Sequence, residues 1–292
     1  MLNRIFSILG AQWLIRQDTA ISYLPVLIAL MKGQDILIKP ADGPKTYVVG
    51  RSMSGEMQRP IEMEMGDDSI PENSVAIIPI DGVICSWDSI ELMNQIHEAA
   101  EDPRIISILF VVNSPGGMIS QIDILANTIK GLSKPSVAVV MGMAASAAMW
   151  VISATNYRIA TSPMDTIGSI GTKTSIEDYA GLLDKIGIKI TDIYASLATR
   201  KDEAWRAFQA NGDTKLILDR VDFVNGIFHQ AIQKNLNIPP ESEVFTGADY
   251  FAGQAQSLGL INEINTMEYA LTKAYELGLT NKLINQSKSI TF

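Results

Sequence analysis

The stretch "RIISILFVVNSPGG" (Arg104–Gly117) runs from an apolar segment into a turn, and it decides the fold. Its first part is rich in β-branched and large apolar residues, which is typical of a strand buried on both faces. The turn ends in Gly116 and Gly117, where the missing Cβ atoms let a ligand approach the backbone. An apolar strand of this kind predicts a parallel sheet if helices follow the strands, because crossover helices cover both faces.

The same alternation continues on both sides of this stretch. Predicted strands are "SVAIIPIDGVI", "PSVAVVMG", "YRIATSP", "IKITDIYA" and "SLGLINEI", and the segments between them have helical spacing of apolar residues. A long helix is predicted in "DTKLILDRVDFVNGIFHQAIQKN". The sequence therefore predicts an α/β fold with a mostly parallel sheet, in a main domain over residues 74–280.

Three further segments are predicted outside the main domain. Residues 1–38 are apolar and are interpreted as a helical N-terminal extension; the longest uncharged run, between Asp18 and Lys32, contains Pro25 and is shorter than a membrane span of roughly 20 residues. Packing against protein is favoured there, although membrane contact stays open. Residues 39–73 are rich in proline and glycine, which predicts a linker with some extended structure. The polar residues 281–292 predict a flexible tail.

Composition excludes several functional classes. The chain has 292 residues, of which 47% are hydrophobic, so it can bury a substantial core. A net charge of −9 without a block of Lys or Arg argues against nucleic acid as a partner. Cys85 is the single cysteine and cannot form an internal disulfide, which favours a reducing, cytoplasmic setting. With only two histidines, a His/Cys metal site is disfavoured, and we expect neither metal nor cofactor.

Two segments at the ends of successive predicted strands carry the chemistry. The first is "NSPGG", and the second is "GMAASA" (Gly142–Ala147), in which one serine stands among alanines. A serine near a helix N-terminus, a glycine amide from the neighbouring loop and the amide after the serine can together form a nucleophile with an oxyanion hole. Each motif alone is also compatible with an ordinary turn or a packed helix, whereas the pair at adjacent strand ends favours catalysis.

"NSPGG" followed by "MGMAASAA" resembles the Clp protease and signal peptide peptidase A superfamily. The segments "IPIDGVI", "DTIGSIGT" and "EVFTGADYFAGQAQSLGLINEI" resemble the signal peptide peptidase A branch, including its phage capsid-assembly members. The resemblance implies a Clp protease/crotonase-like fold of stacked β-β-α units. It also implies that Ser146 is the nucleophile and that the amides of Gly117 and Ala147 form the oxyanion hole. Family members form rings with the active site near a subunit boundary, and peptides commonly bind them as an added strand.

The general base separates the branches of this superfamily. A Clp-type site needs a histidine soon after the serine, but no histidine lies between Ser146 and His229. His97 and His229 are therefore interpreted as structural or exposed. The signal peptide peptidase branch uses a lysine, which the resemblance places in "SLATRKDEAW" at Lys201, although the family's glycine is missing from this motif.

Other residues near the predicted base are weighed as well. Lys173 is the competitor for the role of base, whereas Arg200 cannot lose its proton under ordinary conditions. Ser169 is a supporting residue that could hold the lysine amine. A surface lysine paired with Asp202 or Glu203 is the alternative reading of Lys201.

The resemblance predicts a serine endopeptidase with a Ser-Lys dyad that acts on peptides or proteins. The favoured role is a phage or prophage capsid-assembly protease that processes scaffold or capsid proteins in the host cytoplasm. A bacterial signal peptide peptidase-like enzyme is the alternative. Two other classes stay open: a crotonase-type acyl-CoA enzyme, for which Asp165 is the tempting acid, and a non-catalytic assembly subunit.

Overall fold

The computed structural model describes residues 13–15, 45–51, 56–63, 69–176 and 191–290, together with positions 181, 185, 187 and 189. Its strands are β1 (Trp13–Ile15), β2 (Tyr47–Val49), β3 (Ile61–Glu62), β4 (Ser74–Asp81), β5 (Ile105–Ser114), β6 (Gly116–Met118), β7 (Ser136–Ala145), β8 (Tyr157–Ala160), β9 (Thr166–Gly168), β10 (Asp249–Phe251) and β11 (Glu263–Ile264). Its helices are α1 (Ser86–Glu101), α2 (Ile122–Lys130), α3 (Ala147–Ser153), α4 (Glu203–Asn211), α5 (Lys215–Leu236), α6 (Ala252–Ser257) and α7 (Met267–Ile290).

The central sheet has the strand order β10-β9-β7-β5-β4-β2-β3. Strands β4, β5 and β7 are parallel neighbours, as the apolar runs predict. The first half of β7 pairs with β8 and its last residues pair with β9, so β7 has two parallel neighbours on the same side, one after the other along its length. The predicted α/β fold with a mostly parallel sheet is thereby confirmed.

Helices cover both faces of the sheet, which explains why its strands are apolar on both sides. On one face, α1 packs against β4 and β5 and α3 packs against β5 and β7, while α2 and α5 pack against α3. The buried side chains of this layer include Leu92, Leu125, Trp150, Phe228 and Phe110. On the other face, α7 places Ala270 and Ala274 against strand residues that include Val75, Leu109 and Val137. Among the described helices, none is both long and apolar enough to cross a membrane.

The structure describes parts of the three segments that were predicted outside the main domain. Within the predicted helical extension 1–38, residues 13–15 form a strand, and the rest lies outside the described residues. Within the predicted linker 39–73, β2 pairs with β4, so the sheet begins before residue 74. Most of the predicted flexible tail 281–292 continues α7 to Ile290. Asn281 and Lys282 hold this part of α7 by donating to the Ser133 carbonyl (3.0 Å) and Asn73 Oδ1 (2.6 Å).

One predicted strand is not found where the structure can test it. Residues 191–195 of the predicted strand "IKITDIYA" are irregular, and the Ile193 side chain is 92% exposed. Alternation of apolar and polar residues predicts a strand only if a neighbouring edge is free to pair with it. The residues that follow, from Ala195 to Asp202, form turns that lead into α4.

Candidate active site

The turn that leaves β5 is fixed by hydrogen bonds to the end of β4. The Ser114 hydroxyl donates to the carbonyl of Gly82 (2.6 Å) and accepts the amide of Gly116 (3.2 Å). The Gly82 amide in turn donates to the carbonyl of Asn113 (2.9 Å). These bonds hold the two glycines of the "NSPGG" turn in one orientation, as an oxyanion donor requires.

Gly117 lies on β6 directly against the backbone of Ile84. The Ile84 amide donates to the carbonyl of Gly116 (2.9 Å), and the Ile84 carbonyl accepts the amide of Met118 (2.8 Å). A Cβ at Gly117 would overlap the Ile84 carbonyl oxygen, so only glycine fits here. Because successive peptide groups of a strand point to opposite edges, the Gly117 N–H faces away from Ile84.

Ser146 lies at the junction between β7 and α3 in a strained backbone conformation. Its φ is 54° and its ψ is −118°, a combination that few residues with a Cβ adopt. Its amide donates to the carbonyl of Gly168 (2.9 Å), and its carbonyl accepts the amide of Trp150 (3.0 Å). The side chain is 2% exposed. Strain that the surroundings enforce in this way is concentrated at functional residues.

The amides after Ser146 and in the "NSPGG" turn belong to adjacent segments. Ala147 is the first residue of α3, and the first amides of a helix have no acceptor within the helix. Ser114 pairs with Ala144 at the ends of β5 and β7, and α3 contacts β6. The structure therefore brings Ser146, Ala147 and Gly117 to the C-terminal ends of β5 and β7.

Ser169 lies beside the serine that the sequence predicts to be the nucleophile. Ala145 and Gly168 form the last pair between the parallel strands β7 and β9, so Ser146 and Ser169, which follow directly, lie side by side. The Ser169 backbone also has a positive φ, 52°, and its amide donates to the Ala248 carbonyl (2.7 Å). Its side chain is half-buried, which places a second hydroxyl group at the strand ends.

Asp165 is a structural residue of the same region rather than an exposed acid. It is buried and accepts the amides of Gly142 (2.8 Å), Thr161 (2.7 Å) and Ser162 (2.9 Å), together with the Thr161 hydroxyl (3.2 Å). A carboxylate with this many donors is held in place as an acceptor. The role of pocket acid, which a crotonase-type reaction would require of Asp165, does not fit these contacts.

Lys201 is exposed in the turn before α4. Its amide donates to the Ala198 carbonyl (3.1 Å), and its carbonyl accepts Arg206 Nε (3.1 Å). Among the described residues, its hydrogen bonds are thus made by the backbone within its own segment. Arg200, beside it, forms an ion pair with Glu203 (2.9 Å). Among the described residues, no hydrogen bond joins the Lys201 amine to Ser146 or Ser169, and the half-buried Lys173 remains a competitor for the role of base.

The two histidines lie on helices, as expected for structural residues. His229, on α5, has its ring 4.9 Å from that of Phe245, and burial lowers its pKa. His97 is exposed on α1. In the part of the chain that the structure describes, no group of three or more His, Cys, Asp or Glu side chains is placed to hold a metal ion.

The sequence analysis singled out Ser146 and the Gly117 amide but did not find the residues that hold them in place. Asp165 anchors the last part of β7 at Gly142, and Ile84 fixes Gly117, yet both interactions join residues far apart in the chain. The segment "DTIGSIGT" was the part of the sequence that could have indicated these supporting contacts, because it contains Asp165, Gly168 and Ser169 together.

Comparison with known proteins gives consistent matches. A profile of peptidase family S49 matches residues 129–280, a little more than half of the chain. The "Putative protease" of Methanocaldococcus jannaschii is 30% identical over 191 residues, which cover 63% of this chain and 60% of that protein.

Two further relatives extend over more of the chain. "Capsid assembly protease C" of Escherichia phage lambda is 24% identical over 77% of this chain and 52% of its own length. "Putative signal peptide peptidase SppA" of Enterococcus faecium is 25% identical over 92% of this chain and 81% of its own. The chain thus spans a little over half of the length of the first two relatives.

Proposed function

Because this chain belongs to peptidase family S49, we propose that it is a serine endopeptidase that uses Ser146 as nucleophile and Lys201 as general base. The observation that carries the proposal is the strained junction at Ser146, which lies next to β6 and directly before the first amide of α3, an amide that has no acceptor within the helix. This arrangement offers a hydroxyl and two backbone donors at the C-terminal ends of β5 and β7.

The proposed reaction is acyl transfer to serine followed by hydrolysis. Lys201 removes the proton of the Ser146 hydroxyl as its oxygen attacks a peptide carbonyl carbon, and the amides of Gly117 and Ala147 donate to the resulting oxyanion. The lysine then gives the proton to the leaving amine, and a water molecule hydrolyses the ester. Ser169 is proposed to accept a hydrogen bond from the lysine amine and to orient it.

Single substitutions test this assignment against an unfolded protein probe. Ser146→Ala and Lys201→Ala should each lower kcat/KM on fluorescein-labelled casein by about 10⁴-fold or more. Ser257→Ala and Lys215→Ala are matched controls, since both residues are exposed and lie on other helices, and they should keep the wild-type rate. A Lys201→Ala protein that still cleaves casein, beside a Lys173→Ala protein that does not, would move the base to Lys173.

We further propose that the catalytic lysine is supplied by a neighbouring subunit of a homo-oligomer. Lys201 follows a segment whose Ile193 and Leu197 side chains are 92% and 96% exposed, and an apolar surface of this kind is suited to contact with another protein. The same segment keeps Lys201 exposed and bonded within its own turn. A second copy that covers this segment would bring the amine to its own Ser146.

Mixing two inactive variants tests the origin of the lysine. Oligomers assembled from equal amounts of Ser146→Ala and Lys201→Ala chains should recover about one quarter of the wild-type activity, because some boundaries join an intact serine to an intact lysine. The same variants assembled separately and then combined without subunit exchange are the control and should stay inactive. A mixed oligomer without activity would place the lysine in the same chain as its serine.

The proposed biological role is capsid-assembly processing in the cytoplasm of a bacterial host. Support comes from the similarity to capsid assembly protease C of phage lambda, and the similarity to an SppA protein supports a signal peptide peptidase-like enzyme instead. A comparison of kcat/KM on a phage scaffold protein and on a synthetic signal peptide separates the two roles. A higher value on the scaffold protein supports capsid processing, and a higher value on the signal peptide overturns it.

A further inference from the structure

The strand β1 lies on the edge of β6 that carries the proposed oxyanion donor. The two strands are antiparallel, with Trp13 opposite Met118, Leu14 opposite Gly117 and Ile15 opposite Gly116. This pair is a two-stranded sheet apart from the central one, and about a hundred residues of chain separate its strands. The contact therefore joins the N-terminal part of the chain to the proposed active site.

The hydrogen bonds of Ile84 determine which groups of β6 face β1. Ile84 bonds to the Gly116 carbonyl and to the Met118 amide on one edge of β6. Because peptide groups alternate along a strand, the N–H and C=O of Gly117 both point to the opposite edge, where β1 lies. In an antiparallel pair, two residues whose groups face each other exchange both hydrogen bonds. This register directs the Gly117 N–H toward the Leu14 carbonyl.

We propose that Trp13–Ile15 is an internal substrate strand, which blocks the site while intact and presents the Leu14–Ile15 peptide bond to Ser146. The proposal rests on the proposed function, because it takes the Gly117 amide as an oxyanion donor. The Leu14 carbonyl then stands where the carbonyl of a bound peptide would accept that amide. An incoming peptide that adds a strand to β6 needs the same backbone groups, so the two compete directly.

The cut itself requires only water and the groups already named. The Ser146 oxygen bonds to the carbonyl carbon of Leu14, and the bond from that carbon to the Ile15 nitrogen breaks. The serine's proton passes to the leaving amine, which becomes the new terminus at Ile15. Water then hydrolyses the Leu14 ester, restores the Ser146 hydroxyl and releases the piece that ends at Leu14.

Hydrogen exchange tests the occupancy of the strand without any catalysis. In full-length Ser146→Ala protein, Leu14→Pro removes the N–H that faces the Gly117 carbonyl. We expect the amide of Gly117 to exchange about ten-fold faster in this double variant. Ile15→Pro is the matched control, because the same alternation turns the Ile15 amide away from β6, and it should keep the protection. Equal exchange at Gly117 with and without Leu14→Pro overturns the proposal.

Activity and intact-mass measurements on chains with an intact Ser146 test whether the Leu14–Ile15 bond is cut and whether the cut frees the site for casein. We expect a product that begins at Ile15, and casein hydrolysis that accelerates as this product accumulates. Leu14→Pro should cleave casein without the initial lag and with an apparent KM about ten-fold below that of the uncut protein, because a site occupied in nine of ten molecules weakens apparent affinity by that factor. Ile15→Pro should stay uncut and slow.

The two proposals fail in different ways. Casein cleavage at equal rates by wild type and Leu14→Pro, with no product beginning at Ile15, overturns the internal substrate strand and leaves the peptidase assignment intact. Loss of Gly117 protection in the Leu14→Pro form, combined with no casein cleavage by any form, retains the strand occupancy and overturns both the peptidase function and the predicted cut.

Discussion

The amide of Gly142 donates to Oδ1 of the buried Asp165 across 2.8 Å, and this bond ties the last part of β7, just before Ser146, to the segment before β9. The other carboxylate oxygen accepts the amides of Thr161 and Ser162. One side chain thus holds three backbone donors from two segments. The position of Ser146, the proposed nucleophile, thus depends on a residue that does not contact substrate in the proposed reaction.

Asp165→Asn tests this dependence. The amide nitrogen that replaces one carboxylate oxygen cannot accept a hydrogen bond, so at least one buried backbone donor loses its partner. We expect the free energy of unfolding to fall by about 3 kcal/mol, measured by urea denaturation, with a parallel loss of kcat on casein. Asp219→Asn is the control: it removes an exposed ion pair with Lys215 and should cost no more than about 0.5 kcal/mol. An Asp165→Asn protein as stable as this control would contradict the anchoring role.

Gly117→Ala tests the close approach of β6 to Ile84. The added methyl group would overlap the Ile84 carbonyl oxygen, so the two backbones must separate. We expect a loss of about 3 kcal/mol in stability together with loss of casein cleavage. The matched control is Gly226→Ala within α5, where a Cβ meets no atom within 4 Å. That substitution should raise stability by about 0.5–1 kcal/mol, because alanine is the better helix former. Similar urea midpoints for the two variants would argue against the overlap.

The sequence predicted what local patterns determine. Continuous apolar runs predicted the parallel strands β4, β5 and β7, because a strand covered on both faces must be apolar throughout. The "NSPGG" and "GMAASA" motifs predicted where Gly117 and Ser146 lie, since the first motif spans the end of β5 and the second spans the end of β7. The resemblance to signal peptide peptidase A proteins is confirmed at the level of peptidase family S49.

The features that the sequence did not predict depend on contacts between residues that are far apart in the chain. Residues 191–195 alternate like a strand but have no pairing edge in the described structure, and the strand at Trp13–Ile15 exists only through β6. The continuation of α7 depends on Asn281 and Lys282 reaching Ser133 and Asn73. A polar composition predicts flexibility in such a segment only if nothing holds it in place.

Ser146→Gly separates the contribution of the serine hydroxyl to casein cleavage from the effect of its strained backbone on stability. Its φ of 54° disfavours any residue that has a Cβ, whereas glycine adopts this region freely. We expect Ser146→Gly to be more stable than Ser146→Ala by about 1 kcal/mol in urea denaturation, while both variants lose casein cleavage. An alanine variant of equal or greater stability would show that the backbone at this junction is not strained.

The stability of the chain should rise with pH above neutrality because of Lys134. Its amine donates to the carbonyls of Ala99 (3.0 Å) and Asp102 (2.6 Å). Burial lowers its pKa to about 8, from an ordinary value of 10.5, against the attraction of Asp102. Between about pH 8 and 10.5 the unfolded chain therefore holds a proton that the folded chain has lost, and in that range stability increases with pH.

Lys134→Met measures this contribution by difference. We expect the free energy of unfolding of wild type, relative to Lys134→Met, to increase between pH 8 and pH 10 and to be constant near pH 7, where the amine is protonated in both states. Urea denaturation at each pH gives the two curves, and the other titrating groups cancel in their difference. Lys215→Met serves as the comparison for an exposed lysine, and its curve should run parallel to that of wild type. Parallel curves for Lys134→Met as well would show that burial does not shift the titration of this amine.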